Sequence, residues 1–176
     1  MYPVITDRKI RFAIVGCGRI SKNHFKSLEL HKDDIELKAI CEIDRKRLKQ
    51  HEEEYQVCGY ASLETMLETE DLDLIAICTP SGIHSSQTAL AAKHGVSVMT
   101  EKPMATRWKD GVDMVKACDD AKVRLFVVKQ NRRNTTLQLL KRAIDEKRFG
   151  RIHMVHLNVF WTRPQEYYDQ AKWRGT

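Results

Sequence analysis

Three groups of residues in this sequence combine types and spacings that can do chemistry. The first is Gly16-Cys17-Gly18-Arg19-Ile20-Ser21, which sets two glycines and then a small residue at intervals of two and three. Between a strand and a helix, such a loop turns tightly at Gly16 and lets backbone approach a pyrophosphate at Gly18. The helix start at Arg19 and Ile20 then offers unpaired N–H groups and a positive dipole end to the anion. Ser21 departs from the usual Gly or Ala but is small enough for close helix–strand contact. The second group is Glu42, closing the run Glu36 to Cys41, near the roughly 20-residue offset at which an acid accepts hydrogen bonds from an adenosine ribose. A carboxylate there favours NAD and repels the 2'-phosphate of NADP. Arg45, Lys46 and Arg47 follow so closely that a phosphate-binding alternative stays open. Asp44 is read as the cap of the next helix.

The third group is Glu101-Lys102-Pro103, a carboxylate, an ammonium and a proline at the end of the apolar run Val96 to Thr100. Lys102 is either a solvated lysine on a strand that Pro103 terminates, or a donor that stabilises charge on a reacting oxygen. Thr79-Pro80-Ser81 and Gln130-Asn131 close other apolar runs in the same way. In an open doubly wound sheet, ligands lie outside the carboxyl ends of the strands, so these ends would converge on one crevice.

The elements that must position these groups are visible as alternation. Short apolar runs, "IRFAIVG", "ELKAIC", "LDLIAIC", "VSVMT" and "RLFVVK", are each followed by a segment with helical spacing of apolar residues. Those segments are Arg19 to His31, Asp44 to Tyr55, His84 to Gly95 and Thr106 to Ala121, with Gly95 a helix stop and Thr106 a helix start. The pattern predicts an α/β fold, a parallel doubly wound sheet covered by helices, over residues 1–131. From Asn134 a further helix runs to Gly150. "RIHMVHLNVFWTRP" then alternates like a strand exposed on one face, Ile152 to Thr162. A second, α+β domain therefore begins at residue 132 and is incomplete at 176, and the chain is expected to be the front part of a longer protein.

With 42% hydrophobic and 31% charged residues in 176, the chain has the composition of a globular protein. No apolar run approaches the roughly 20 residues of a membrane span, and the start lacks a secretory core, which predicts a cytoplasmic protein with no membrane partner. The formal charge of +6 raises nucleic acid as a ligand. The basic clusters at Arg45 to Lys49 and at Asn131 to Asn134 are interrupted by acidic helix faces and lack interleaved aromatics, so an anionic small molecule is the better reading. Five cysteines, odd in number and without a C-x-x-C pair, suit reduced thiols, and no metal is expected.

"VGCGRIS", "CTPSGIHSSQTALAAKHGVSVMTEKPMA" and the "FGRI" turn together resemble the Gfo/Idh/MocA family of sugar and inositol dehydrogenases. Within it, "VKQNRRNTTLQLLKRA" and "FWTRPQEYYDQAKWRGT" are similar to the bacterial UDP-N-acetylglucosaminuronate 3-dehydrogenases. The resemblance implies a Rossmann domain binding NAD through Gly16, Gly18, Arg19, Ile20, Glu42, Thr79, Pro80, Ser81, His84, Glu101, Lys102, Gln130 and Trp161. It implies that Lys102 is catalytic, that Pro103 is cis and that His84 sits over the cofactor crevice. The implied substrate is a UDP-linked uronate, oxidised at C3 for lipopolysaccharide sugar synthesis and contacted by Lys102, Asn131, Arg132, Arg163, Tyr167 and Tyr168. A homo-oligomer through the second domain is implied as well. For "NRRN" a helix cap at Asn134 with solvated arginines is the competing reading, and for Trp161 and Trp173 plain packing. The family pairs this lysine with a histidine that would lie beyond residue 176. His153 and His156, three apart on a strand, face opposite sides and are read as surface or packing residues. A simple-sugar or polyol dehydrogenase, or a dinucleotide-binding module without catalysis, are the alternatives.

Overall fold

The computed structural model describes residues 4–170 and Arg174, so Trp173 lies outside the described residues. The chain divides into two compact units, Met1–Val128 and Lys129–Thr176. In the first, six strands form one sheet: β1 (Ile10–Val15), β2 (Ile35–Cys41), β3 (Cys58–Tyr60), β4 (Leu74–Ile77), β5 (Ser97–Thr100) and β6 (Leu125–Val127). Their order is β3-β2-β1-β4-β5-β6, and all pairings are parallel. Helices α1 (Ser21–Leu30), α2 (Arg45–Tyr55), α3 (Leu63–Thr69), α4 (His84–Lys93) and α5 (Trp108–Asp120) make the crossovers.

The central strands β1, β2, β4 and β5 carry apolar residues on both faces because both faces are covered. Ala13 and Val15 of β1, with Ile75, Ile77 and Val98, pack against Leu63, Met66 and Leu67 of α3 and Ala91 of α4. The alternate residues Phe12 and Ile14, with Ile40 and Ala76, pack against Phe25 of α1 and Leu48 of α2. Ile14, Ile40, Ile75 and Ile77 are fully buried, each contributing about 1.5–3 kcal/mol of transfer free energy. At the amino end of the sheet, the Asp73 carboxylate accepts the backbone N–H of Arg11 (2.8 Å) and the guanidinium groups of Arg8 and Arg11.

Asp44 caps α2, its carboxylate accepting the Arg47 N–H at 2.9 Å, and Gly95 stops α4 with φ of +74°. Two expectations need correction. Helix α5 begins at Trp108 with Arg107 at the cap position and no side-chain cap bond, so Thr106 does not start it. A sixth strand, β3, was hidden because its three residues include Gly59 and have no apolar run; its pairing with Ala39 to Cys41 of β2 makes it a strand.

In the second unit a 3-10 turn spans Gln130–Arg133, α6 covers Thr135–Asp145 behind an Asn134 cap, and α7 covers Gln165–Asp169. Residues 152–162 form no strand, contrary to the alternation in their sequence. Alternation marks a surface suited to a sheet, but a strand exists only when another segment completes its hydrogen bonds. Among the described residues none does.

Candidate cofactor and catalytic site

Strand order decides what the carboxyl ends can share. β1 lies between β2 and β4, and β5 follows β4, so the glycine turn, Glu42, Thr79-Pro80-Ser81 and Glu101-Lys102-Pro103 all emerge on one edge of the sheet. The chain runs to one side of β1 and then returns to the other, which makes the β1/β4 junction the switch point where a crevice opens.

Gly16 follows β1 with φ of +89°, and its N–H donates to the Cys41 carbonyl at 2.7 Å. A Cβ here would come within 3.0 Å of both the Cys78 carbonyl carbon and Thr79 Cγ2, so the turn is closed to any side chain. At Gly18 a Cβ would meet nothing within 4 Å, leaving backbone facing open space. Ser21 is fully buried and its hydroxyl donates to the Gly18 carbonyl at 2.6 Å, which explains how serine fills a position usually held by Gly or Ala. Arg19 is exposed, and Ile20 at the α1 cap position supplies no side-chain acceptor. The Asn23 N–H turns back to the Ile20 carbonyl at 3.1 Å, and no side chain caps the N–H groups before it, a helix start of the kind that suits an anion.

Glu42 is nearly buried. One carboxylate oxygen accepts the Cys17 N–H (2.9 Å) and the Arg47 guanidinium (3.1 Å), and the other accepts the Asp44 N–H (3.0 Å). The acid braces the glycine turn and occupies Arg47, while Arg45 and Lys46 are exposed. Burial, and then the charge of Glu42, push the Cys17 thiol up to about 12, and burial followed by Glu42 takes Cys41 to about 11. Both thiols stay protonated near neutral pH and are packing groups. All five cysteines are free, and no cluster suited to a metal occurs among the described residues.

On the other side of the crevice, the Thr79 hydroxyl donates to Gln87 Oε1 at 2.5 Å, with Pro80 exposed and Ser81 opening a short 3-10 turn. His84 is 1% exposed. Its Nε2 lies 2.9 Å from the Thr79 carbonyl oxygen and its Nδ1 3.0 Å from that of Pro103. The ring fastens the end of β4 to the turn after β5, with both nitrogens engaged by main chain. The Lys102-Pro103 peptide is cis. Lys102 is exposed, and its ammonium makes no hydrogen bond or ion pair among the described residues. Its backbone N–H donates to Glu101 Oε2 at 3.3 Å, and Glu101 Oε1 lies 2.9 Å from Nε2 of His24 on α1. Burial pushes the Glu101 carboxyl up, but the His24 hydrogen bond and charge, with the backbone and charge of Lys102, outweigh it and hold the group below its ordinary value. His24 had no signature in the sequence. An apolar hollow of about 740 Å³ along α5 is lined by Trp108, Val112 and Val115 and by none of the candidate cofactor residues.

The remaining candidates, Gln130, Asn131, Arg132, Trp161, Arg163, Tyr167 and Tyr168, belong to the second unit. The first three form its opening 3-10 turn, where the Asn131 carbonyl accepts the Asn134 N–H at 3.0 Å and that of Arg132 accepts the Gln138 amide. The Arg163 guanidinium stands 5.0 Å from the ring centroids of both Trp161 and Tyr167, and Tyr167 meets Tyr168 edge-on at 5.3 Å. His153 and His156 are exposed. Among the described residues, no helix is long and apolar enough to cross a membrane.

Residues 10–129 match the family GFO_IDH_MocA, described as an oxidoreductase family with an NAD-binding Rossmann fold. The chain is 62% identical to the WlbA dehydrogenase from Chromobacterium violaceum, solved in complex with NADH and UDP-GlcNAcA, with a TM-score of 0.96 over 100% of this chain and 51% of that one. The WlbA dehydrogenase from Bordetella pertussis, also solved with NADH and UDP-GlcNAcA, is 57% identical with a TM-score of 0.93 over 96% of this chain and 51% of that one. Among curated relatives, D-apiose dehydrogenase from Paraburkholderia graminis is 32% identical across 90% of this chain and 40% of its own length. The chain thus spans about half the length of the solved proteins it matches.

Proposed function

The chain belongs to the GFO_IDH_MocA oxidoreductases and has their NAD-binding Rossmann fold, and from that premise we propose that it supplies the cofactor site and catalytic lysine of a nucleotide-sugar dehydrogenase. The reaction is oxidation of the C3 hydroxyl of UDP-N-acetylglucosaminuronate to the 3-oxo sugar, as a step toward cell-surface polysaccharide. The observation that carries this reading is 62% identity along the whole chain to a dehydrogenase solved with both NADH and UDP-GlcNAcA.

The residues present fit NAD. Open space at Gly18 and the uncapped start of α1 suit a pyrophosphate, and the Glu42 carboxylate ends β2 where the adenosine ribose would lie. NAD, when bound, supplies the hydride acceptor. The chain's own part is electrostatic. The Lys102 ammonium, which makes no hydrogen bond or ion pair among the described residues, donates to the sugar oxygen and stabilises the alkoxide character that grows as the hydroxyl proton leaves. Thr79-Pro80-Ser81, Glu101 and His84 shape the floor of the crevice beneath it. In the second unit, Arg163 beside the rings of Trp161 and Tyr167 offers a charged, stacked surface for a diphosphate or carboxylate, and Asn131, Arg132 and Tyr168 are assigned to substrate and Gln130 and Trp161 to cofactor by the likeness to the family alone. The same reading places the enzyme in the cytoplasm, as a homo-oligomer through the domain that begins at residue 132.

The test is a panel of UDP-sugars, free sugars and inositols offered to the full-length enzyme with NAD, followed by NADH absorbance. UDP-N-acetylglucosaminuronate is expected to be turned over best. Lys102→Ala is expected to cut kcat by about 10²–10⁴-fold while NAD still binds. Turnover confined to free sugars or inositols would transfer the chain to the polyol enzymes, and wild-type turnover by Lys102→Ala would remove the lysine from the mechanism.

A further inference from the structure

The turn that carries Lys102 is held by two histidines from distant parts of the chain. His84 takes the carbonyl of Pro103, just after the lysine, and His24 takes the carboxylate of Glu101, just before it. The two contacts differ in kind. His84 is part of the interior, fixed by main chain on both sides. His24 is a side chain meeting a side chain across 77 residues of sequence, with 12% and 10% of the two groups exposed. It lies on α1, the helix whose first turn closes the glycine loop. A single hydrogen bond therefore joins the element suited to the pyrophosphate to the residue preceding the ammonium.

Glu101 divides its two oxygens, Oε1 to His24 and Oε2 to the Lys102 N–H. It is also the nearest carboxylate in sequence to the Lys102 ammonium. Without His24, a nearly buried oxygen would lose its partner, and a carboxylate in that position has two remedies: swing toward water or pair with Lys102 itself. The first loosens the turn and the second consumes the ammonium.

We propose that His24 is a positioning residue for Lys102, holding Glu101 so that the lysine's peptide keeps a fixed distance from the glycine turn and its ammonium stays available. The proposal rests on the assignment of Lys102 as the catalytic residue. It assigns His24 no contact with the substrate or with the reacting atoms. Misplacement of a catalytic group by about 1 Å costs on the order of 10²-fold in rate, which sets the size of the effect.

The experiment compares the full-length wild type with His24→Leu, His24→Gln and Lys102→Ala. It measures kcat and KM, the NAD dissociation constant, the melting temperature, and hydrogen exchange of the peptide covering residues 100–106. In His24→Leu, kcat is expected to fall about 10- to 100-fold. KM and NAD affinity should stay close to wild type and the melting temperature should fall by only a few degrees, the cost of one unpaired carboxylate oxygen, while amide exchange in the turn accelerates. His24→Gln, which retains a side-chain N–H donor, is expected to recover most of kcat and of the protection. Wild-type kcat in His24→Leu, or unchanged exchange in the turn, would overturn the proposal. So would loss of kcat, NAD binding and melting temperature together in both variants, which would make His24 a folding contact. If the wild type oxidises no nucleotide sugar, the functional reading fails, and exchange in the turn still decides whether His24 holds it.

Discussion

Replacing each glycine of the turn by alanine separates the fold from the ligand. At Gly16 the backbone sits at φ of +89°, where a residue with a Cβ is strained by about 1–2 kcal/mol. The added carbon would also stand 3.0 Å from the Cys78 carbonyl carbon, 3.0 Å from Thr79 Cγ2 and 3.1 Å from the Cys78 oxygen. Two of those atoms are backbone at the end of β4, next to the central strand, and cannot rotate away. Overpacking of that kind costs about 1–3 kcal/mol. Gly16→Ala is thus expected to lose about 2–5 kcal/mol, a large share of the roughly 5–15 kcal/mol of a typical domain. Urea denaturation is the assay, read as a lower midpoint at unchanged slope. Gly18→Ala is the control, because a Cβ there meets nothing within 4 Å. Its stability is expected to equal wild type or exceed it by about 0.4–1 kcal/mol. Its NAD dissociation constant should rise at least about tenfold, since the methyl group would take the space proposed for the approach of the pyrophosphate to backbone. A Gly16→Ala protein that unfolds at the wild-type midpoint would refute the steric reasoning. A Gly18→Ala protein that binds NAD normally would refute the placement of the pyrophosphate.

Three further outcomes are expected. Hydrogen bonds from the Arg8 guanidinium and then from Arg11 outweigh burial and hold the Asp73 carboxyl well below the usual carboxylate range. Its stabilisation is therefore complete above the unfolded value of about 4 and is lost as pH falls toward the folded one. Asp73→Asn should cost about 2 kcal/mol at pH 7, and urea midpoints of mutant and wild type should converge in acid; a gap independent of pH would contradict this. Thr88 on α4 buries its hydroxyl without a partner among the described residues, so Thr88→Val should gain about 1 kcal/mol, seen as a higher melting temperature. Glu42→Ser removes the carboxylate proposed to meet the ribose and frees Arg47, and the ratio of NADP to NAD affinity should rise at least about tenfold by titration. An unchanged ratio would mean that Glu42 only braces the turn.

The glycine turn was legible because Gly16 adopts a backbone that other residues avoid, and the strands of the central sheet because burial on two faces requires uniformly apolar runs. The Asp44 cap was legible because its signal and its partner lie three residues apart. What was not legible depends on partners far away in the chain. β3 has no pattern of its own and becomes a strand by pairing with β2. Residues 152–162 have the pattern and lack the pairing. His24 sits in "SKNHFK" as an ordinary helical histidine, and only the juxtaposition of α1 with the end of β5 gives its ring a carboxylate to hold. His84 drew attention in the sequence, but that both its nitrogens meet main chain became visible only with the fold.

The position of β1 at the middle of the sheet also shapes how the protein comes together. Strands β1 to β3 can assemble through local crossovers, and so can β4 to β6, but β1 must find β4 across a long stretch of chain. Arg11 and Asp73, which meet at that seam, are 62 residues apart. Closing so long a loop is an entropic cost met before any contact rewards it, and it tends to slow folding. The crevice opens at the mouth of this seam, so no half-assembled chain possesses it. A dinucleotide that binds there selects chains in which β1 and β4 are joined, and it stabilises them in proportion to the logarithm of its concentration above the dissociation constant.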